Sequence, residues 1–415
     1  MNEGLIEKVR KEVKAREDEL ISLCSQLIKI PSENPPGDVS NIASFVEEFL
    51  KEIGISVEVK YKVREKPNVI GYLGRGTPSL IVCGHVDTVP AGDRRHWERD
   101  PFSGDVINGW IYGRGAADMK GGVACILLAA KIISQMEFEP RSKVTIVLVP
   151  DEETGSRDGL LWLLENKLIK GKECAIAEPT GNAALESYSV DIGERGAVWI
   201  RVKVKGKAAH GSMPMLGDNA ILKAYKVIEK LLVLNELRFE PPADVKEVVE
   251  NIRPMYSILG IERTLDHLTV NIGIIRGGTK VNIVPDTCEL EVDIRVPVGT
   301  TAENTVKEVE RVLKDVKDVE YEVIAMIDPS YTSPRARVVQ EAIKWASEAL
   351  SKKVVGVIMP ATSDAGHFRR AGIPAINLGP GYHEHVHVSN EKVKIEDLVA
   401  MCEAYSLMIL SYLTE

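Results

Sequence analysis

The chain has 415 residues, 44% of them hydrophobic and 27% charged, which excludes a disordered polymer and supplies apolar side chains for more than one small core. Its 61 acidic residues against 52 basic ones give a formal charge of −9, so nucleic acid is not an expected partner. The longest uncharged apolar run, Val123 to Ala130, falls well short of the roughly 20 residues a membrane helix needs, so no membrane partner is expected either.

The first segment mixes both charge signs and lacks the apolar stretch and cleavage site of a secretory signal, which points to a soluble, cytoplasmic protein. An amphipathic helix is expected from about Leu5 to Ile30, ending at Pro31, and a second over roughly 40–53. Short strands follow at SVEVKYK, NVIGYLG and SLIVCGH, then a helix from Gly121 to Gln135 and strands at VTIVLV and CAIAE. Continuous apolar strands between helices imply an α/β unit whose mixed sheet carries helices on both faces. Beyond Gly193 the pattern changes. AVWIRVKVKG alternates, with Val198, Ile200, Val202 and Val204 on one face. A helix from Asp218 to about Leu234, strands at HLTVNIGII and TCELEVDIRV, a helix at 301–313 and a strand at 319–325 complete a β-α-β-β-α-β order, the ferredoxin-like α+β arrangement. An insertion from about Arg238 to Asp266 interrupts it. Helices at about 333–350 and 395–413, with strands at VVGVI and PAINL, should rejoin the first sheet. The expected domains are therefore residues 1–191 with 328–415, and an inserted domain over residues 192–327. The six cysteines form no CxxC pair and sit mostly among apolar neighbours, as buried reduced thiols do.

Polar residues gather where these apolar strands end, the place where open α/β sheets bind ligands. SLIVCGHVDTVP runs into His85 and Asp87, two residues apart on one face, so that Asp87 suits the role of a partner orienting a metal-bound His85; a capped turn gives the same pattern. GRGAADMKGG is close to a dinucleotide fingerprint, but Asp118 stands where the third glycine belongs and would repel a pyrophosphate. VPDEETGS places Asp151, Glu152 and Glu153 after a strand, either as a cation site or as a solvated acidic loop. Glu178 follows CAIA. Near the end, His383, His385 and His387 alternate ahead of Ser389-Asn390-Glu391, a cluster that neighbouring carboxylate loops could use or that could lie on the surface. Imidazoles and carboxylates without thiolates suit zinc, manganese or cobalt in a hydrolytic site.

With these motifs in place, the chain from about Leu20 onward resembles the dinuclear zinc metallohydrolase and metallopeptidase family of acetylornithine deacetylase, succinyl-diaminopimelate desuccinylase, aminoacylase and glutamate carboxypeptidase. The resemblance implies a zinc-exopeptidase-like catalytic domain in two parts and an inserted lid and dimerisation domain. It implies two divalent ions per chain, most simply zinc with cobalt or manganese as alternatives. It makes His85 and Glu178 ligands of one ion, Glu153 and His387 ligands of the other, Asp118 the bridge and Glu152 the general base, with Asp87 behind His85. His387 is singled out because HVSNE is similar to the family's H-x-x-N-E ending, which leaves His383 and His385 without a role. Glutamate at the Glu178 position goes with acylases and carboxypeptidases in that family. GKAAHGSMP resembles the lid segment whose histidine, here His210, reaches an active site across a homodimer. GGTKVNIVPD and EVDIR likewise suggest Asn282 and Arg295 as contacts to a substrate carboxylate or oxyanion, although spacing alone fits a surface arginine equally well. The function so implied is hydrolysis of the amide bond of an N-acyl amino acid; the alternatives are a carboxypeptidase or dipeptidase acting on short peptides, a non-catalytic metal-dependent binding protein and, against Asp118, a nicotinamide dehydrogenase.

Overall fold

A computed structural model describes residues 2–414 and divides into two compact units, the first made of residues 2–192, 332–357 and 363–414 and the second of residues 193–331 and 358–362. In the first unit the strands run side by side in the order Ser56–Val63, Lys66–Gly74, Lys143–Val149, Pro78–His85, Glu173–Ile176 and Ala375–Asn377, and Asn377 then pairs with Asp191. The four strands Lys143–Val149, Pro78–His85, Glu173–Ile176 and Ala375–Asn377 are parallel, while Lys66–Gly74 on one side and the segment of Asp191 on the other pair antiparallel, so the sheet is mixed. Leu80 through His85 are all buried, as a strand covered on both faces must be. The expected α/β architecture is what forms.

The helix Gly121–Ser134 is apolar nearly all round and packs against Ile395–Thr414, which explains why both lie in the core rather than at the surface. Ile395–Thr414 is 20 residues long and apolar enough by composition to cross a membrane, a property missed by counting uncharged runs because Glu396, Asp397 and Glu403 interrupt it. Its most apolar stretch is 83% buried inside the protein, as in the core helix of a globular unit. The first expected helix is in fact two, Glu3–Ala15 and Glu17–Lys29, broken at Arg16. Arg16 leaves helical geometry, and its guanidinium pairs with both Glu12 and Glu19 across the break. A short helix, Asp364–Arg370, went unforeseen because its seven residues carry too little periodicity.

The second unit pairs strands in the order Thr269–Gly277, Thr287–Val296, Gly196–Lys205 and Val319–Ile327, all antiparallel, with helices Ala220–Leu232 and Ala302–Leu313 on one face. In chain order this places the second and third strands next to each other and the first beside the fourth, which is the ferredoxin-like topology. Val198, Ile200, Val202 and Val204 are buried with Leu290, Val292, Ile294 and Val296 against those helices. The 238–266 insertion carries the helix Lys246–Ile258 and closes on Asp266. That carboxylate is buried and accepts from Arg238 Nε at 2.9 Å and Arg253 Nη2 at 2.9 Å, and lies 2.6 Å from His267 Nδ1. Burial pushes its pKa up, but these three partners outweigh burial and leave it below the usual range. Asp266→Asn should therefore cost about 1–3 kcal/mol at pH 7, the scale of hydrogen bonds to a charged group. Because the folded pKa is depressed, the contribution is present above pH ~4 and fades as pH falls through the folded value. Denaturant unfolding of both proteins at pH 7 and pH 3 checks this; a deficit that does not shrink in acid would refute it.

Candidate metal centre

His85, Glu153 and Glu178 stand at the carboxyl ends of parallel strands or just after them, while Asp118 comes from the turn before Gly121–Ser134 and His387 from the loop before Lys392–Lys394. His85 is the last residue of its strand and is buried. Its Nδ1 lies 2.9 Å from the main-chain carbonyl of Asp87 and 3.4 Å from the Asp87 carboxylate. The carbonyl can only accept, so Nδ1 carries a proton, and Nε2 is the nitrogen available to a ligand. Nε2 faces Asp118 Oδ1 at 3.0 Å and Glu178 Oε1 at 3.5 Å.

Asp118 sits in the turn Ala116–Lys120, entered through Gly115 at φ +84, where a Cβ would stand 2.7 Å from Thr88 Cγ2. The following helix approaches so closely that a Cβ on Gly122 would fall 2.1 Å from the Ala177 carbonyl oxygen, which brings the strand end bearing Glu178 against the Asp118 turn. The second carboxylate oxygen of Asp118 is 3.1 Å from His387 Nε2, and His387 Nε2 is 3.1 Å from Glu153 Oε2. Two groups result, His85–Asp118–Glu178 and Asp118–Glu153–His387, each with its ligand atoms within 4.8 Å of one another, and Asp118 belongs to both.

Glu152 and Glu153 open the turn after Lys143–Val149, where Asp87 holds their backbone: its Oδ1 accepts from Glu152 N at 3.2 Å and its Oδ2 from Glu153 N at 3.3 Å. Asp87 thus reaches His85 mainly through its carbonyl, while its carboxylate serves the acidic turn. Asn34, buried and unnoticed in the sequence because SENPPGD reads as a plain turn, donates Nδ2 to Asp87 Oδ2 at 3.0 Å and to Thr154 Oγ1 at 2.9 Å.

Electrostatics describe a site that needs positive charge. Burial pushes Glu152 and Glu178 well above the usual carboxylate range, with their acidic neighbours adding to it against the pull of His85. Burial alone would depress His85, but Glu178, Asp118 and Asp87 hold its imidazolium well above the ordinary value. The half-exposed His387 is raised to about 10, chiefly by its hydrogen bonds to Asp118 and Glu153. A divalent cation in each group would replace these protons, and a set of imidazole nitrogens and carboxylate oxygens without thiolate fits zinc, cobalt or manganese. Asp364, buried and hydrogen-bonded by Ser156, was not foreseen; burial lifts its pKa to about 7, and its charge acts on Glu152 and Glu178. In the sequence it reads only as the start of a short helix.

His383 and His385 join neither group. The His385 ring packs edge-on against Trp110 and Tyr382, with centroids 5.5 and 5.7 Å away, while Glu384 accepts from Ala183 N at 3.0 Å. His210, Asn282 and Arg295 belong to the second unit. His210 is exposed and its Nδ1 accepts the Ser212 N–H at 3.2 Å, which leaves Nε2 as the protonated nitrogen. Gly211 N donates to Asn282 O at 2.8 Å, so GKAAHGSMP and GGTKVNIVPD are adjacent. Arg295 lies on the face opposite the buried Ile294 and Val296 and pairs with Asp293 at 3.0 Å.

A model of peptidase family M20/M25/M40 matches residues 81–411. A metallohydrolase of uncharacterised activity from Methanocaldococcus jannaschii is 28% identical over 94% of this chain and 98% of its own length. Succinyl-diaminopimelate desuccinylase of Wigglesworthia glossinidia brevipalpis is 27% identical over the same shares of the two chains. Among solved structures, an M20 family metallo-carboxypeptidase from Sulfolobus solfataricus superposes with a TM-score of 0.78 at 21% identity, covering 96% of this chain and all of that one, a likeness of fold.

Proposed function

Since the chain belongs to peptidase family M20/M25/M40, we propose that it is a dinuclear metallohydrolase that cleaves the amide bond of an N-acyl amino acid. The observation that carries this reading is Asp118, a single carboxylate shared by two ligand groups of nitrogen and oxygen donors. Each ion would take one histidine, one glutamate and a share of Asp118. When bound, two such ions supply a water of lowered pKa and polarise the scissile carbonyl. The work of the side chains follows. Glu152, beside the ligand Glu153, removes the water's proton and returns it to the departing amine. His210, protonated on Nε2, donates to the developing oxyanion, and Asn282 and Arg295 take the substrate carboxylate. Six buried free cysteines fit a reducing, cytoplasmic setting.

The relative that removes a succinyl group favours the acyl substrate over a peptide. A homodimer through the second unit accords with apolar side chains left open on it, among them Leu222, Tyr225 and Leu232 on one helix and Met215 just before it.

Zinc titration of chelator-stripped protein should saturate at two ions per chain, and chelation should abolish turnover. A hydrolysis screen of N-acetyl and N-succinyl amino acids against short peptides, run with zinc, cobalt or manganese, then identifies the substrate class. Release of free amino acid from peptides alone would replace the deacylase reading with a peptidase. Two bound ions without any turnover would favour a binding protein.

A further inference from the structure

Glu391 closes the HVSNE motif four residues after His387 and has no part in the ligand set. Its side chain is buried, and it does three things at once. Oε1 accepts the backbone N–H of Ala117 at 2.9 Å and of Asp118 at 3.0 Å, and Oε2 accepts from Arg114 Nη1 at 2.5 Å. Its own carbonyl accepts from Gly113 N at 2.9 Å. Arg114 in turn stacks over the Trp97 ring, 5.3 Å from its centroid.

Ala117 and Asp118 stand in the first turn of Ala116–Lys120, where no preceding helical carbonyl is available to accept their N–H groups. Buried donors without acceptors are costly, and a carboxylate, with two acceptor oxygens and no donor, meets two adjacent N–H groups and a guanidinium together. We infer that Glu391 is a positioning residue that sets the backbone of Asp118, and through it the shared carboxylate, before any ion arrives. Arg114 balances the charge that this role requires. The strand Lys392–Lys394 begins at the next residue and pairs with Trp110–Tyr112, so the segment that carries His387 is anchored beside the one that carries Asp118. His387 belongs to one ligand group and Asp118 to both, and Glu391 therefore fixes the spacing between the groups.

This inference rests on the proposed metal centre, with Asp118 as the bridge. Its test measures zinc affinity by calorimetric titration of the full chain, alongside wild-type stoichiometry and turnover. Glu391→Asp keeps a charge for Arg114 but draws the carboxylate back from the two N–H groups; Glu391→Met keeps the length but removes the Oε1 that accepts both of them. Both should lower zinc affinity by about 10–100-fold, the usual effect of losing a group that orients a ligand. Arg114→Gln breaks the same ion pair from the other side. It should lower thermal stability yet leave zinc affinity within about threefold, because the two N–H bonds remain. A purely structural ion pair would instead give Glu391→Met and Arg114→Gln the same losses, and that result would overturn the inference, as would wild-type affinity in Glu391→Asp. Amide hydrogen exchange of the ion-free wild type gives a check independent of any variant. Ala117 and Asp118 should be protected before zinc is added, and protection that appears only with zinc would also overturn it. A wild type that binds no zinc would sink the metal-centre reading itself, whereas normal wild-type binding with unaffected variants would sink only the role of Glu391.

Discussion

The Glu152→Gln substitution is expected to lower kcat by about 10²–10⁴-fold, the usual worth of a general base, with zinc content and substrate KM close to wild type. Glutamine has nearly the shape of glutamate and cannot take a proton from water. The turn should not move, because Asp87 holds the main-chain N–H of residues 152 and 153, and neither bond involves the Glu152 side chain. Glu153→Gln reports the opposite failure: with an amide beside His387, the Asp118–Glu153–His387 group loses an anionic donor and zinc stoichiometry should fall toward one per chain. Metal analysis and steady-state kinetics on the pair decide the matter. Zinc lost from Glu152→Gln and retained by Glu153→Gln would reverse the two assignments.

His210→Ala should reduce kcat by about 10²–10³-fold, the cost of one oxyanion donor, while zinc content and oligomeric mass stay unchanged. The nitrogen that would donate is available, since Nδ1 is already occupied by Ser212. If the lid of one subunit serves the site of the other, mixing His210→Ala with Glu152→Gln should recover activity. In a mixed dimer, one of the two sites combines an intact Glu152 with an intact His210, so recovery approaches a quarter of wild type for random exchange. Mass spectrometry of the mixture verifies exchange. Exchange without recovery would mean that each lid acts on its own subunit, and loss of zinc from His210→Ala would make the residue a ligand.

The strands and the candidate residues at their ends were legible for one reason: apolar runs that end in a polar residue mark the edge of a buried parallel sheet, whereas Asp118 and His387 were singled out by the resemblance. His85 closes SLIVCGH, and Glu152, Glu153 and Glu178 come just after VTIVLV and CAIA, so their placement follows from strand ends alone. Thr287–Val296 coincides with TCELEVDIRV because alternation over ten residues leaves a single consistent register. The supporting residues were not legible. Asn34 and Asp364 act across long stretches of sequence, on Asp87 and Ser156, and nothing local distinguishes them from a turn residue or a helix start. Asp87 stands beside His85, but the pattern of residues two apart carries no information about whether carbonyl or carboxylate makes the closer contact. The break at Arg16 was likewise invisible, because the apolar period continues across it.

The order in which the ligands occur along the chain has a consequence for biosynthesis. During translation His85, Asp118, Glu153 and Glu178 emerge first, the whole of the second unit follows, and only then come His387, Glu391 and the core helix Ile395–Thr414. Contacts separated so widely in sequence form late and slowly, since the loop between them must be ordered before they contribute. The second unit, by contrast, is nearly continuous and can fold on the ribosome as soon as it is exposed. A nascent chain therefore carries four unpaired acidic and imidazole donors without the backbone that spaces them, so ion loading should wait for the segment that carries His387, and a chain stalled before residue 387 should hold a finished second unit beside an unfinished, metal-free first.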